Sequence, residues 1–377
     1  MYFQDEYIRE NAQAEREATY KLDLPDTGLL GSLLLRLTGR TETGNPTAST
    51  HKWRLIDYLD KIEVILNGAT VCKSLSGAQC QYLSFLDQKV VSPGKWLEYS
   101  QPTLKEYILI NFGRYFNDPE LALHLDNFRS VELHITNSCN STIFQDDLRW
   151  SVLAHWLREP TGPPLGYMRS EEWRSWSTLA GETKYFDLPT EHTLRRIMLQ
   201  ATPAVDDNCL EKTNLFNLMD DIELSFQTGI LRVFKGGLDD LLYQNVLDTG
   251  VQPVTGGWVY HTPDKGFNVG LGYVDAVATA AGSLTEGGAV TIPTVQGTRN
   301  SFTQKAETYE ADVLIGFLAK GIAYHNCGVF RFDHDQNPVT WLDPNARRTV
   351  QLNIHTRDHA DAEGGTNAIV LDRFVRY

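Results

Sequence analysis

Histidines and carboxylates gather in one short stretch, HTRDHADAEGG, from His355 to Gly365. His355, His359, Asp361 and Glu363 are residue types that bind divalent metals, and His359-Ala360-Asp361 is an H-x-D triplet. In a metal-dependent oxygenase His359 and Asp361 would supply two ligands of a facial triad, with His355 nearby. Asp358, Asp361 and Glu363 by themselves offer the hard oxygen ligands that Ca²⁺ takes. A polar turn between two strands uses the same residues for another reason, because Asp and Gly suit turn backbone.

Other pairs invite chemistry more weakly. His325 and Cys327 in YHNCG place a base and a nucleophile two residues apart, with no identifiable third group to orient the base. A buried thiol is the plainer reading. GLGYVDAVATAAG, Gly270 to Gly282, is glycine-containing but lacks the strand-then-helix context of a phosphate loop. Trp173 and Trp176 in EEWRSWS could stack on a sugar or base, or plug an interface between domains, which is the expectation here. Trp258 and Tyr260 would serve a carbohydrate- or receptor-binding loop.

The bulk properties narrow the choice. The 377 residues suffice for two domains, and 42% hydrophobic with 22% charged residues is a globular composition. A net charge of −14 without a Lys/Arg cluster argues against wrapping nucleic acid. Arg347 with Arg348, and Arg373 with Arg376, read as solvated strand faces. No apolar run approaches the roughly 20 residues that cross a bilayer, and MYFQDEYIRENAQAERE has no apolar core of a secretory signal. Five cysteines (Cys72, Cys80, Cys139, Cys209, Cys327), without C-x-x-C spacing, read as reduced thiols of a protein made in cytoplasm.

The elements that must position all these residues are written twice. DKIEVILNG (Asp60–Gly68) returns as DDIELSFQT (Asp220–Thr228), with Ile62 on Ile222 and Leu66 on Phe226. Asp23-Leu24-Pro25 returns as Asp187-Leu188-Pro189, and the same offset carries Leu30 onto Leu194, Leu33 onto Ile197 and Leu35 onto Leu199. FRSVELHIT answers RRTVQLNIH, with Val131 on Val350 and Ile135 on Ile354. SVLAHWLRE answers IVLDRFVRY, with Val152 on Val370 and Trp156 on Phe374. Four matches in one order indicate a tandem duplication. VELHI and DIELSFQ alternate strictly, as half-buried strands do. After Gly77 and again after Gly237, apolar spacing predicts a short helix. The second half carries about 59 extra residues between Gly237 and Arg348, most of them in Thr255 to Asn300, whose Gly and Thr content reads as loops with short strands.

Many short strands in two copies predict an all-β chain of two tandem eight-stranded jelly-roll β-sandwiches, with short helices and a long loop insertion in the second. The expected division is an N-terminal helical or extended arm at 1–19, a first roll at 20–160, a linker at 161–183 and a second roll at 184–377, with its insertion at about 250–305. In QDEYIRENAQAERE the composition favours helix. The duplication, size and loop placement resemble the double jelly-roll major capsid proteins of tailless icosahedral viruses, often membrane-containing, in the bacteriophage–adenovirus lineage.

That resemblance implies a structural protein of the virion, synthesised in the host cytoplasm, with no catalytic, cofactor or metal residues. It implies homotrimers that imitate hexagons and pack against neighbouring capsid trimers. It further implies penton or minor capsid partners, an internal membrane beneath, and host-surface contact through the loops at 255–300. The acidic N-terminus departs from a basic, membrane-inserting anchor. Two rivals come from other classes. Duplicated β-barrels also describe bicupin enzymes, for which His355, His359 and Asp361 would hold the metal. The matching turn of the first half, NSCNSTIFQDD, has no histidine, and neither half has a cupin-like histidine run. A jelly-roll carbohydrate- or receptor-binding module is the other; whole-chain duplication favours the shell protein.

Overall fold

The computed structural model describes residues 1–41, 54–92, 103–141, 143–205, 211–227, 229–261, 267–270, 274–284, 295–296, 301–304 and 313–377, with side chains described outside 255–319. The first half contains β1 (Tyr2–Gln13), β2 (Thr19–Asp23), β3 (Leu29–Arg40), β4 (Leu59–Leu66), β5 (Thr70–Leu75), helix α1 (Gly77–Gln88), β6 (Thr103–Asn111), the short β7 (Leu123–His124), β8 (Val131–Asn137) and β9 (Arg149–Arg158). The second half contains β10 (Gly166–Ser177), β11 (Thr183–Asp187), β12 (Thr193–Thr202), the one-turn α2 (Leu215–Leu218), β13 (Asp221–Phe226), β14 (Leu231–Gly236) and α3 (Leu238–Thr249). An insertion follows, with β15 (Val254–His261), β16 (Phe267–Gly270), β17 (Val274–Leu284), β18 (Val295–Gln296), β19 (Ser301–Gln304) and β20 (Val313–Ile322). The chain closes with β21 (Cys327–Arg331), β22 (Val350–His355) and β23 (Thr366–Arg376).

Strand order repeats. In the first half β1-β9-β3-β6 faces β2-β8-β4-β5; in the second β10-β23-β12-β21 faces β11-β22-β13-β14. Each strand has its counterpart at the same place, and each half is a jelly roll. The two rolls are not merely tethered. A parallel bridge, Ser170 to Lys73 and Glu171 to Ser74, joins β10 to β5, so one eight-stranded sheet runs through both rolls.

The alternation seen in the sequence sets the register. Ile62, Val64 and Leu66 on β4 are fully buried and lie opposite Ile135, Leu133 and Val131. Ile222, Leu224 and Phe226 on β13 lie opposite Ile354, Leu352 and Val350 in the same way. Each such side chain contributes roughly 1.5–3 kcal/mol when fully buried, so slipping either strand by one residue would expose the whole set.

Even the irregularities recur. A bulge falls between Val64 and Ile65 against β5, and between Leu224 and Ser225 against β14. Another falls between Leu30 and Ser32, and between Leu194 and Arg196. A third falls between Tyr7 and Arg9, and between Glu172 and Arg174. Bulges are local backbone solutions, and three pairs at matching places mark the second roll as a copy of the first.

Five expectations need correction. The segment 2–13, favoured as helix, is strand β1, because pairing along β9 outweighs the helix propensity of its Glu, Ala and Arg residues. Much of the supposed linker, Gly166–Ser177, is strand β10, the first strand of the second roll. Val152 corresponds to Ile369 and not to Val370, and Trp156 to Arg373 and not to Phe374: relative to β3 and β12, Val152 pairs with Leu35 as Ile369 with Leu199, and Trp156 with Leu30 as Arg373 with Leu194. The helix match also shifts by one, since the cap residue Ser76, not Gly77, stands where Gly237 stands. The insertion runs to Ile322 and builds its own sheet in the order β15-β20-β17-β18, with β16 paired to β19.

Candidate functional site

The residues first suspected of chemistry do not converge. His355 ends β22, and its Nδ1 lies 3.0 Å from the Thr183 hydroxyl. His359 and Asp361 stand 3.5 Å apart on an exposed turn, where the His359 ring accepts from the Asp361 amide at 3.2 Å. Asp358 packs beside Gly181. Among the described residues no three His, Cys, Asp or Glu side chains form a metal-holding group.

His325 and Cys327 are both buried, but not as base and nucleophile. The Cys327 thiol donates to the His325 carbonyl at 3.3 Å, and burial raises its pKa well above that of an ordinary thiol. The imidazole reaches Gln81 with Nε2 at 2.9 Å and the Arg54 guanidinium with Nδ1 at 3.1 Å. With Arg54 donating, the ring is neutral and carries its hydrogen on Nε2. Burial and then the Arg54 charge hold its pKa well below the usual value. Ala323, His325 and Asn326 all have positive φ, near 56, 56 and 61°, so the chain leaves β20 through a strained knuckle pinned to α1.

Trp173 and Trp176 pack on Phe186, with ring centroids 6.1 and 4.9 Å away, and close the second core instead of the interface between rolls. Trp258 and Tyr260 fall on β15, and their side chains lie outside the described residues, as do Cys209 and every side chain of 255–300.

What the structure does assemble is a buried ionic lock between the rolls. Arg195 and Arg196 follow one another on β12, and the bulge there turns both toward the first roll. Arg196 donates to Asp87 of α1 at 2.6 Å and to Asp333 at 2.9 Å. Arg195 donates to Asp333 at 2.9 Å and to the Arg114 carbonyl at 2.8 Å. Lys73 of β5 donates to Ser170 at 2.9 Å, which in turn donates to Asp372 at 2.7 Å. Burial pushes the Asp333 carboxyl up, but Arg196, Arg195 and Arg331 together pull it below the ordinary carboxylate range.

Buried ion pairs add little net stability, yet losing one partner is expensive. The lock therefore fixes the mutual setting of the rolls more than it holds them together. Around it, Tyr82, Phe85 and Leu86 of α1 join Met198, Val329 and Val370 of the second roll in one apolar cluster. Arg373, expected on a solvated face, is buried beside Glu171. Sequence reasoning missed this lock; its trace was the pair Arg195-Arg196 inside the apolar run of LRRIML.

No known sequence family matches the chain, and no curated protein does. Solved structures do. The STIV MCP superposes with a TM-score of 0.61 at 9% identity, over 100% of this chain and 97% of its own. The PBCV-1 virus capsid matches with a TM-score of 0.56 at 10% identity, over 99% and 94%. The major capsid protein P2 from Bacteriophage PM2 matches with a TM-score of 0.52 at 9% identity, over 99% and 98%. This chain is thus a two-domain β-protein with the double jelly-roll fold of viral major capsid proteins.

Proposed function

We propose that this protein is the major capsid protein of an icosahedral virus, working as a shell tile and not as an enzyme. Three copies place six jelly rolls in a ring, which gives a threefold assembly a nearly hexagonal outline. The observation that carries this reading is the rigid fusion of two equivalent rolls, through one continuous sheet and a buried lock. A tile that must repeat its shape across a lattice needs the angle between its rolls fixed. Closed cyclic symmetry keeps such an assembly finite. The insertion of 254–322 rises from one connection of the second roll, between α3 and β21, and supplies the surface that faces the host. Neighbouring trimers, penton or minor capsid proteins and an underlying membrane are the remaining partners of the tile.

Sedimentation of the purified protein tests the reading. The expected species is three times the 42.6 kDa chain, with shells or sheets of hexagonal tiles in electron micrographs. A chain that stays monomeric at micromolar concentration overturns it.

A further inference from the structure

The second roll carries an empty copy of the socket that the first roll has filled. In the first roll, β5, α1 and β6 surround a socket lined by Lys73, Cys80, Ser84, Asp87, Leu109 and Ile110. Met168 and Ser170 of β10, with Arg195 and Asp372, plug it, leaving about 20 Å³. In the second roll, β14, α3 and β21 surround a cleft lined by Phe234, Leu241, Asn245, Asp248, Val329 and Phe330. By strand register and helix capping these six stand where the first six stand. This cleft is open, with about 370 Å³ free.

Exposure follows the same division. Tyr82, Leu86 and Cys72 are 3, 4 and 0% exposed, while their counterparts Tyr243, Leu247 and Val233 are 64, 65 and 45% exposed. The plug also has a counterpart. Met168 pairs with Phe374 as Phe3 pairs with Leu157, so Phe3 and Asp5 on β1 correspond to Met168 and Ser170. Among the described residues strand β1 has a neighbour on one side only, at the edge of its sheet. Its Asp5, Glu6 and Glu10 are exposed, and the opposing β14 carries exposed Arg232 and Lys235.

We propose that the cleft between β14, α3 and β21 receives strand β1 of a second copy of this chain, head to tail, with Phe3 in the place that Met168 takes within the chain. Repeating the internal bridge gives the register: Asp5 faces Phe234 of the next copy, and Glu6 faces Lys235. Apolar side chains of α3 then cover Leu34, Leu109 and Leu153, the half-buried counterparts of Met198, Val329 and Val370. The contact is heterologous, so it closes a ring or runs on as a filament. The inference rests on the shell reading for ring size alone.

The test is a cysteine pair, Glu6→Cys with Lys235→Cys, in the full-length protein. Strands in this register bring the two Cα atoms within the ~4.4–6.8 Å that a disulfide spans. Both positions are exposed, so the variant folds, and the described native thiols are buried. Under mild oxidant, covalent species that stop at three chains are expected, with neither single variant giving any. A protein that sediments as a trimer but stays uncrosslinked overturns the interface and leaves the shell reading standing. A monomer overturns both. Phe3→Ala is the second arm: it should weaken self-association at least tenfold, and an unchanged sedimentation profile overturns the plug.

Discussion

Helices α1 and α3 are the same element in two settings. Each has twelve residues, starts after a cap that bonds the third helical position, and ends on a left-handed residue. Yet α1 is buried from Gly77 through Leu86 apart from Ala78, while α3 buries only Leu238, Leu241, Leu242, Asn245 and Thr249. The difference lies in what comes next. After α1 the chain supplies a second roll to cover it, whereas among the described residues nothing covers α3 in that way. Side chains adjusted accordingly: Gln81 and Ser84 on α1 find buried partners or room, whereas α3 presents Gln244 and Asp248 to solvent. Burial of a repeated element is thus a property of its neighbours, and not of its own sequence alone.

The sharpest way to break the comparison is to remove the same carboxylate from each helix. Asp87→Ala strands Arg195 and Arg196 in the junction and should cost about 3–5 kcal/mol. Asp248→Ala at the corresponding exposed place should stay within about 0.5 kcal/mol. Urea unfolding of the two variants under one set of conditions decides it; equal costs would mean that the lock is not what distinguishes the helices. Next in size is the apolar pair. Leu86→Ala should lose about 2–5 kcal/mol, and Leu247→Ala should leave the unfolding midpoint of isolated chains almost unchanged while weakening self-association.

The same contrast explains what was legible in the sequence. Strands β4 and β13 could be aligned to the residue because each has one apolar face and one polar face. Strand β23 could not: Ile369 and Leu371 enter the second core while Val370 enters the cluster around α1, so both faces are apolar and the alternation that fixes register vanishes. Helix α1 blurred for the same reason, with its polar Gln79, Gln81 and Ser84 all buried. The ionic lock was illegible because its members come from α1, β5, β10, β12, β23 and the loop at Asp333, and no local spacing encodes their meeting. The turn at His355–Glu363 is the opposite case: it offers ligand residue types close together in sequence, which the backbone spreads over an exposed turn.

A titratable difference sharpens the comparison further. Glu106 is buried on β6, where the second roll has Asn326 just before β21. Burial raises its pKa from 4.5 to about 8, against the opposing pull of Arg54 and a hydrogen bond from Gln81. An acid whose folded pKa is raised is neutral in the fold and ionised in the unfolded chain over that interval. Its stabilising contribution is therefore complete below pH about 4.5 and declines as pH rises toward about 8. The slope should approach but not exceed about 1.4 kcal/mol per pH unit. Glu106→Gln should flatten this dependence and be relatively more stable at pH 8 than at pH 5. A wild-type stability that rises across the window would contradict the assignment.

The smallest effect separates the helix ends. Lys89 and Gly250 both sit in the left-handed region, at φ 56° and 64°, and each amide donates back to a helix carbonyl, Phe85 at 2.7 Å and Val246 at 2.9 Å. Glycine takes this conformation without the Cβ penalty that lysine bears. Among the described residues no neighbouring atom lies within 4 Å of where a Cβ on Gly250 would stand, so conformation sets the cost there. Lys89→Gly should thus gain up to about 1 kcal/mol, and Gly250→Ala should lose about as much. Thermal melts of both variants would read the two signs. If Lys89→Gly instead destabilises, the lysine stem must contribute packing on the covered helix that its exposed twin lacks, and the two ends would differ for the same reason as the two faces.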